Sequence, residues 1–190
     1  MAHGMYYYIK QAWKNTTDKE SSQKMIKYRE ENSIVKLEKP SRLDRARELG
    51  YKAKKGFVVV RVRLIRGGRK RPKPNKARKS RKQTNRKILK MNYKWVAEQR
   101  AQNKYRNLEV LNSYFIAKDG KYYFFEVILV DPARPEIKND RTINWICKPE
   151  NTKRALRGLT SAARKSRGLR SKSRNLKVRP SLRAWNRQGK

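Results

Sequence analysis

The sequence predicts an α+β fold, a small and mainly antiparallel sheet packed with helices, carrying a long basic loop and a basic C-terminal extension. Three observations predict it. Phe57–Ile65 (FVVVRVRLI) alternates as a half-buried strand does. Leu108–Ala117 and Tyr122–Val130 flank Lys118-Asp119-Gly120-Lys121, and Asp-Gly is a favoured hairpin turn. Charge is also uneven: the 190 residues hold 53 Lys or Arg against 15 Asp or Glu, a net +38, yet one stretch of the chain is nearly balanced.

Ser33–Lys39, stopped by Pro40, reads as a short edge strand. Ser41-Arg42-Leu43-Asp44 resembles a capping box and Gly50 supplies a stop, so a helix is predicted over about 41–49. In Phe57–Ile65 the even positions Val58, Val60, Val62 and Leu64 make one apolar face. The odd positions include Arg61 and Arg63, which predicts a second face that is partly solvated or ligand-bound. Ile88, Met91, Trp95 and Val96 fall at helical spacing, giving a helix to about Gln102.

A two-residue Asp119-Gly120 loop would pair Ile116 with Tyr123, Tyr114 with Phe125, Asn112 with Val127 and Val110 with Leu129. Tyr114, Tyr123 and Phe125 then share a core face with Val127 and Leu129, and base stacking on this sheet is not expected. Phe115 and Phe124 fall on the opposite face with Glu109, Ser113 and Glu126. Near the C-terminus, Pro149–Arg157 forms a short helix stopped by Gly158, and Thr160 caps another through Lys165, stopped near Gly168. Leu182 and Trp185 suggest one anchoring contact further on. Apolar residues make up 36% of the chain, enough for one modest core and not for two ordinary domains.

Leu49–Ala97 contains 19 Lys or Arg and no acid, and Asn151–Lys190 contains 14 and no acid. The remaining residues, with 20 bases and 15 acids, are ordinary for a globular domain. The chain divides accordingly into a body over 1–150, an inserted arm at about 66–90, and an extension over 151–190. The arm, RGGRKRPKPNKARKSRKQTNRKILK, has Gly67-Gly68, Pro72 and Pro74 against regular structure and too few apolar residues to fold alone. Its roughly twenty irregular residues reach about 60 Å at ~3.3 Å each. A solvated loop is the bland reading of such a run. Its length between ordered flanks favours an arm that orders on a polyanion, and RNA is the economical one. In the tail, small residues between Arg and Lys let backbone lie near phosphates while Arg binds them bidentately.

Composition excludes several classes. One Cys (Cys147) forms no internal disulfide and fits a reducing, cytoplasmic setting; one His and one Cys exclude His/Cys zinc patterns. No apolar run has the length of a membrane helix, and MAHGMYYYIK lacks the pattern of a signal peptide. Asn15-Thr16-Thr17 matches the glycosylation sequon and reads as chance. Phosphate-loop, HExxH and dinucleotide-turn motifs are absent. Two other readings compete with RNA binding. A sequence-tolerant DNA architectural protein would bind duplex DNA and bulk RNA alike. A nuclease would need Glu126 and Asp131 as an acid pair, but Asp131-Pro132 reads more simply as a turn, and His3 as a solvent residue.

PSRLDRARELGYKAKKGFVVVRVRLIRGGRKRP (Pro40–Pro72), NLEVLNSYFI (Asn107–Ile116), FFEVILVDP (Phe124–Pro132) and RGLTSAARKSRGL (Arg157–Leu169) together resemble the large-subunit ribosomal protein fifteen family of the archaeal and eukaryotic type, L15e. The opening YYYIKQAWK (Tyr6–Lys14) is similar as well, and the archaeal branch is the nearer. Departures lie at Asn15–Lys39 and Asn75–Arg86. The resemblance implies a non-catalytic structural constituent of the large subunit that binds its rRNA and neighbouring ribosomal proteins, supports assembly and translation, and forms no homo-oligomer. No cofactor is expected beyond Mg²⁺ associated with the rRNA. The basic positions it carries over are Arg42, Arg45, Arg47, Lys52, Lys54, Arg61, Arg63, Arg66, Arg69, Lys70, Arg71, Arg157, Arg164, Lys165 and Arg167. The charge map adds Lys73, Lys76, Arg78, Lys79, Arg81, Lys82, Arg86, Arg170, Lys172 and Arg174.

Overall fold

Nine residues rich in β-branched side chains, Phe57–Ile65, form the central strand β2 as the alternation predicts, and the sheet is built outward from it. The computed structural model describes residues 3–70, 76, 86, 87, 89 and 91–170. In chain order the elements are α1 (Met5–Lys14), α2 (Asp18–Glu30), β1 (Ile34–Leu37), α3 (Leu43–Glu48), β2, the ribbon strands β3 (Arg69–Lys70) and β4 (Arg86–Lys87), α4 (Tyr93–Lys104), β5 (Glu109–Lys118), β6 (Tyr122–Val130), α5 (Pro135–Lys138) and α6 (Ser161–Ser166). Short 3₁₀ turns at Asn144–Cys147 and Pro149–Asn151 join α5 to the C-terminal segment. The main sheet is antiparallel in the order β1-β2-β6-β5. The α+β class is therefore the observed one.

Helices cover both faces. On one, Val60, Val62, Leu64, Phe125, Val127, Leu129 and Val110 bury against Ala97 and Ala101 of α4 and Ala155. On the other, Val59, Tyr114, Ile116, Phe124 and Ile128 bury against Ala46 of α3, with Trp13, Met25 and Tyr28 from α1 and α2 packed beside them. The second face of β2 is thus roofed at Val59 and Arg61 and stays partly solvated, as expected, toward Arg63 and Ile65. Sequence periodicity does not mark α2 because DKESSQKMIKYRE packs only Met25 and Tyr28 toward the core. Its contact is partly cationic: the Arg61 guanidinium lies 3.8 Å from the Tyr28 ring centroid and pairs with Glu31, leaving Arg61 only 8% exposed.

The hairpin register also differs from expectation. Val110 faces Leu129 as predicted, but Tyr114 faces Glu126, Phe115 faces Phe125 and Lys118 faces Tyr123. Two irregularities, between Val110 and Asn112 and between Phe115 and Ala117, each insert a residue into β5. A one-residue shift moves a side chain to the opposite face, so Tyr114 joins Phe124 and Phe115 joins Phe125. The turn is not type I′, because Gly120 lies outside the positive-φ region that type demands. Asp119 Oδ1 instead accepts from the backbone N–H groups of Lys121 (2.8 Å) and Tyr122 (2.5 Å).

Other boundaries shift for local reasons. Ser41 does not cap α3; its N–H donates to the Glu126 carboxylate, and α3 begins at Leu43. The helix α4 begins at Tyr93, after Ile88 and Met91, because Asn92 caps it by accepting from the Trp95 N–H at 2.8 Å. Gly50 ends α3 at φ +96° as its position predicts. Gly56 shares that backbone conformation, at φ +93°, and a Cβ there would also lie 2.6 Å from Ile137 Cγ1.

Glu126 is fully buried, accepting from Ser41 N–H and from the Tyr114 hydroxyl. Burial pushes its carboxyl above the ordinary range, against those hydrogen bonds and the nearby Arg61. A raised folded-state value means the native protein holds the proton longer than the unfolded chain. Its contribution is therefore largest below the unfolded value near ~4.3 and shrinks as pH rises through the folded one. Glu126→Gln keeps an acceptor for both donors and removes the titration. Urea unfolding should show the variant gaining stability relative to the parent between pH 4.5 and 7.5; a gap independent of pH would refute the assignment.

Candidate nucleic-acid interface

The described residues at the two ends of the acid-free segment form a fixed root. Arg69 and Lys70 pair antiparallel with Lys87 and Arg86, so a two-stranded ribbon replaces the irregular start expected there. Below it the Tyr93 hydroxyl donates to the Gly67 carbonyl and accepts from the Gly67 N–H, both at 2.9 Å. Arg66 donates to the Asp119 carbonyl at 2.6 Å and lies 5.2 Å from the Tyr123 centroid. The ribbon is therefore anchored to the hairpin end of the sheet. Lys76 is exposed, with φ at +58°. Arg71, Lys73, Arg78, Lys79, Arg81 and Lys82 lie outside the described residues, as do Lys172, Arg174, Leu182 and Trp185.

The first part of the basic extension is packed on the body. Thr160 caps α6 by accepting from the Ala163 N–H, as its position predicts, and its hydroxyl donates to the buried Glu98 carboxylate at 2.5 Å. Glu98 also accepts from Ser113 Oγ at 2.5 Å, so one carboxylate joins α4, β5 and α6. Burial pushes that carboxyl up, against the two hydroxyl bonds. The Pro149–Arg157 helix is instead a 3₁₀ turn followed by tight turns, with Lys153 at φ +51°. Arg154 occupies the irregularity in β5, donating to the Val110 and Leu111 carbonyls at 2.8 and 2.9 Å. This cation, inside an acid-free block, serves the fold.

The basic residues named from sequence fall into two sets. Lys52 and Lys54 both bind Asp140, at 2.9 and 2.6 Å, and hold its carboxyl well below the usual range. Arg42 pairs with Asp44 at 2.9 Å and Arg45 with Glu48. Arg63 donates to the Arg29 carbonyl and lies over Tyr122. Arg157 and Arg167 donate to the carbonyls of Glu150 (2.7 Å) and Gly158 (2.9 Å). Arg61 is spent inside the protein and offers no guanidinium to a partner. Arg47, Arg164, Lys165 and Arg170 are exposed, and among the described residues no acid bridges them.

One cation escaped the sequence reading. Lys94, half-buried at the start of α4, is pushed below its ordinary value by burial, and Glu98 opposes that shift. Repulsion from Arg45, Lys165 and Arg170 adds to it. Cations from α3, α4, α6 and the turn after α6 thus converge, though they are far apart in sequence. Lys94 is counted in the acid-free block Leu49–Ala97, but the linear pattern does not show which cations it meets, because its neighbours are set by packing. The nuclease pairing fails on geometry: Glu126 is buried in the core, while Asp131, five residues on, accepts from the Ala133 N–H at 3.0 Å in a turn. Along an extended chain these are about 17 Å apart. Among the described residues no group of three His, Cys, Asp or Glu side chains could hold a metal ion, and no helix is long and apolar enough to cross a membrane.

A family model for Ribosomal L15 matches residues 4–185, nearly the whole chain. The match spans the body, the arm and most of the extension, including the stretches where the basic blocks lie. The chain therefore belongs to the ribosomal L15e family, structural proteins of the large ribosomal subunit and part of the translating ribonucleoprotein particle.

Proposed function

We propose that this protein binds and stabilises large-subunit rRNA in the cytoplasm by neutralising closely packed phosphates, and that it supports subunit assembly without catalysis. The observation that carries the reading is that Arg47, Arg164, Lys165 and Arg170 stand exposed with no bridging acid among the described residues, an excess of like charge that a polyanion would neutralise. The two acid-free blocks extend the same logic along the chain. Affinity comes from counterion release, and selectivity from RNA shape, since an A-form major groove is too narrow for side chains to read. Neighbouring ribosomal proteins meet the remaining body surface, and any Mg²⁺ belongs to the RNA.

Binding to a folded large-subunit rRNA fragment, measured across salt, should fall with a log–log slope of about −7 if roughly ten phosphates are neutralised. Duplex DNA of equal length should compete poorly. A shallow slope, or competition by DNA at parity, would reject the reading in favour of a general polyanion binder.

A further inference from the structure

Between α1 and α3 lies an open cleft of about 730 Å³, lined by Tyr6, Tyr7, Lys10, Arg42, Asp44, Arg45, Arg47 and Glu48. Its volume is within the ~300–1,000 Å³ of small-ligand clefts. No aliphatic side chain lines it, so it does not suit the apolar face of a partner helix. Both acids on its wall are already matched, Asp44 by Arg42 and Glu48 by Arg45. Lys10 and Arg47 are left with no bridging acid among the described residues, and Tyr6 and Tyr7 remain 44% and 41% exposed. A flat ring already rests on one of these tyrosines: His3 stacks on Tyr7 with centroids 3.8 Å apart and planes 19° from parallel.

Exposed π-faces beside uncompensated cations are what a single-stranded nucleotide recognises, because base stacking tolerates any sequence and phosphate needs a counter-charge. A duplex buries the faces of its bases and offers none. We propose that the α1–α3 cleft holds one unpaired nucleotide of the bound RNA, its base taking the place of the His3 ring on Tyr7 with Tyr6 beside it, and its phosphate held by Lys10 and Arg47. The proposal rests on the RNA-binding reading and adds a base-contacting site to it. The arm cannot substitute, since Arg66–Lys90 contains no aromatic residue.

The test uses the full chain and a short oligoadenylate carrying one 2-aminopurine, whose fluorescence is quenched when it stacks. The parent protein should quench it. The Tyr6→Ala/Tyr7→Ala variant should lose the quench and bind about tenfold more weakly, and Tyr6→Phe/Tyr7→Phe should restore both. Circular dichroism checks that α1 is retained. Quenching that survives in the alanine variant, or equal competition by a perfect RNA duplex, overturns the proposal. A parallel titration with the folded rRNA fragment separates the two readings. Arm-dependent binding there, together with an unaltered quench in the alanine variant, removes the cleft alone; no binding by the parent protein removes both.

Discussion

A variant in which Arg71–Asn85 is replaced by Asn-Gly is expected to bind large-subunit rRNA about four orders of magnitude more weakly at about 0.15 M salt, with its fold intact. The excised stretch holds seven Lys or Arg and no acid. At about 0.7 in log–log slope for each phosphate neutralised, losing seven contacts makes the salt dependence shallower by about 5. The cut falls inside the ribbon, so Lys70 still pairs with Arg86 and a two-residue turn closes it. The root contacts of Arg66, Gly67 and Tyr93 are untouched. Thermal unfolding should shift by no more than a few degrees. If the variant bound its RNA as tightly as the parent, the arm would have no part in binding.

The second large effect is on stability. Arg61→Ala is expected to cost about 2–3 kcal/mol and lower the melting temperature by roughly 5–10 °C. Breaking a fully buried pair costs about 3–5 kcal/mol, and the lower figure applies because the Glu31 side chain remains 25% exposed and can rehydrate. The alanine also removes the cation from the Tyr28 ring and the stem that fills the space under α2. Arg61→Met keeps the stem without the charge and should recover part of the loss. Its affinity for rRNA, measured where both proteins are folded, should equal that of the parent. A tenfold weaker affinity with the fold retained would instead return Arg61 to the interface, as its place in an acid-free block first suggested.

These two residue groups show how differently charge can be used in one chain. The cations of Arg71–Asn85 sit in a segment with almost no apolar residues, too few to fold alone. Arg61 alternates with valines in a strand, and Arg154 follows a tight turn beside a distorted strand. Both are spent on internal partners. Linear charge density cannot distinguish the cases, since neither Glu31 nor the freed carbonyls of β5 are close to them in sequence.

The sequence by itself determined the α+β class, the span of β2, the Gly50 stop, the Thr160 cap and the acid-free blocks. Each is a local property, readable from alternation, turn chemistry or composition over about ten residues. Family membership was legible for the same reason, in short ordered stretches. Only the tertiary structure decided which faces were covered. The near-polar α2 became a roof over Arg61 and Phe124, and two inserted residues in β5 turned Tyr114 toward Glu126. It alone brought Lys94 to Arg45, Lys165 and Arg170, and set Tyr6 and Tyr7 across from Arg47. The physical reason is that burial and electrostatic neighbours depend on long-range packing, whereas propensity and capping act within a turn or two of the chain.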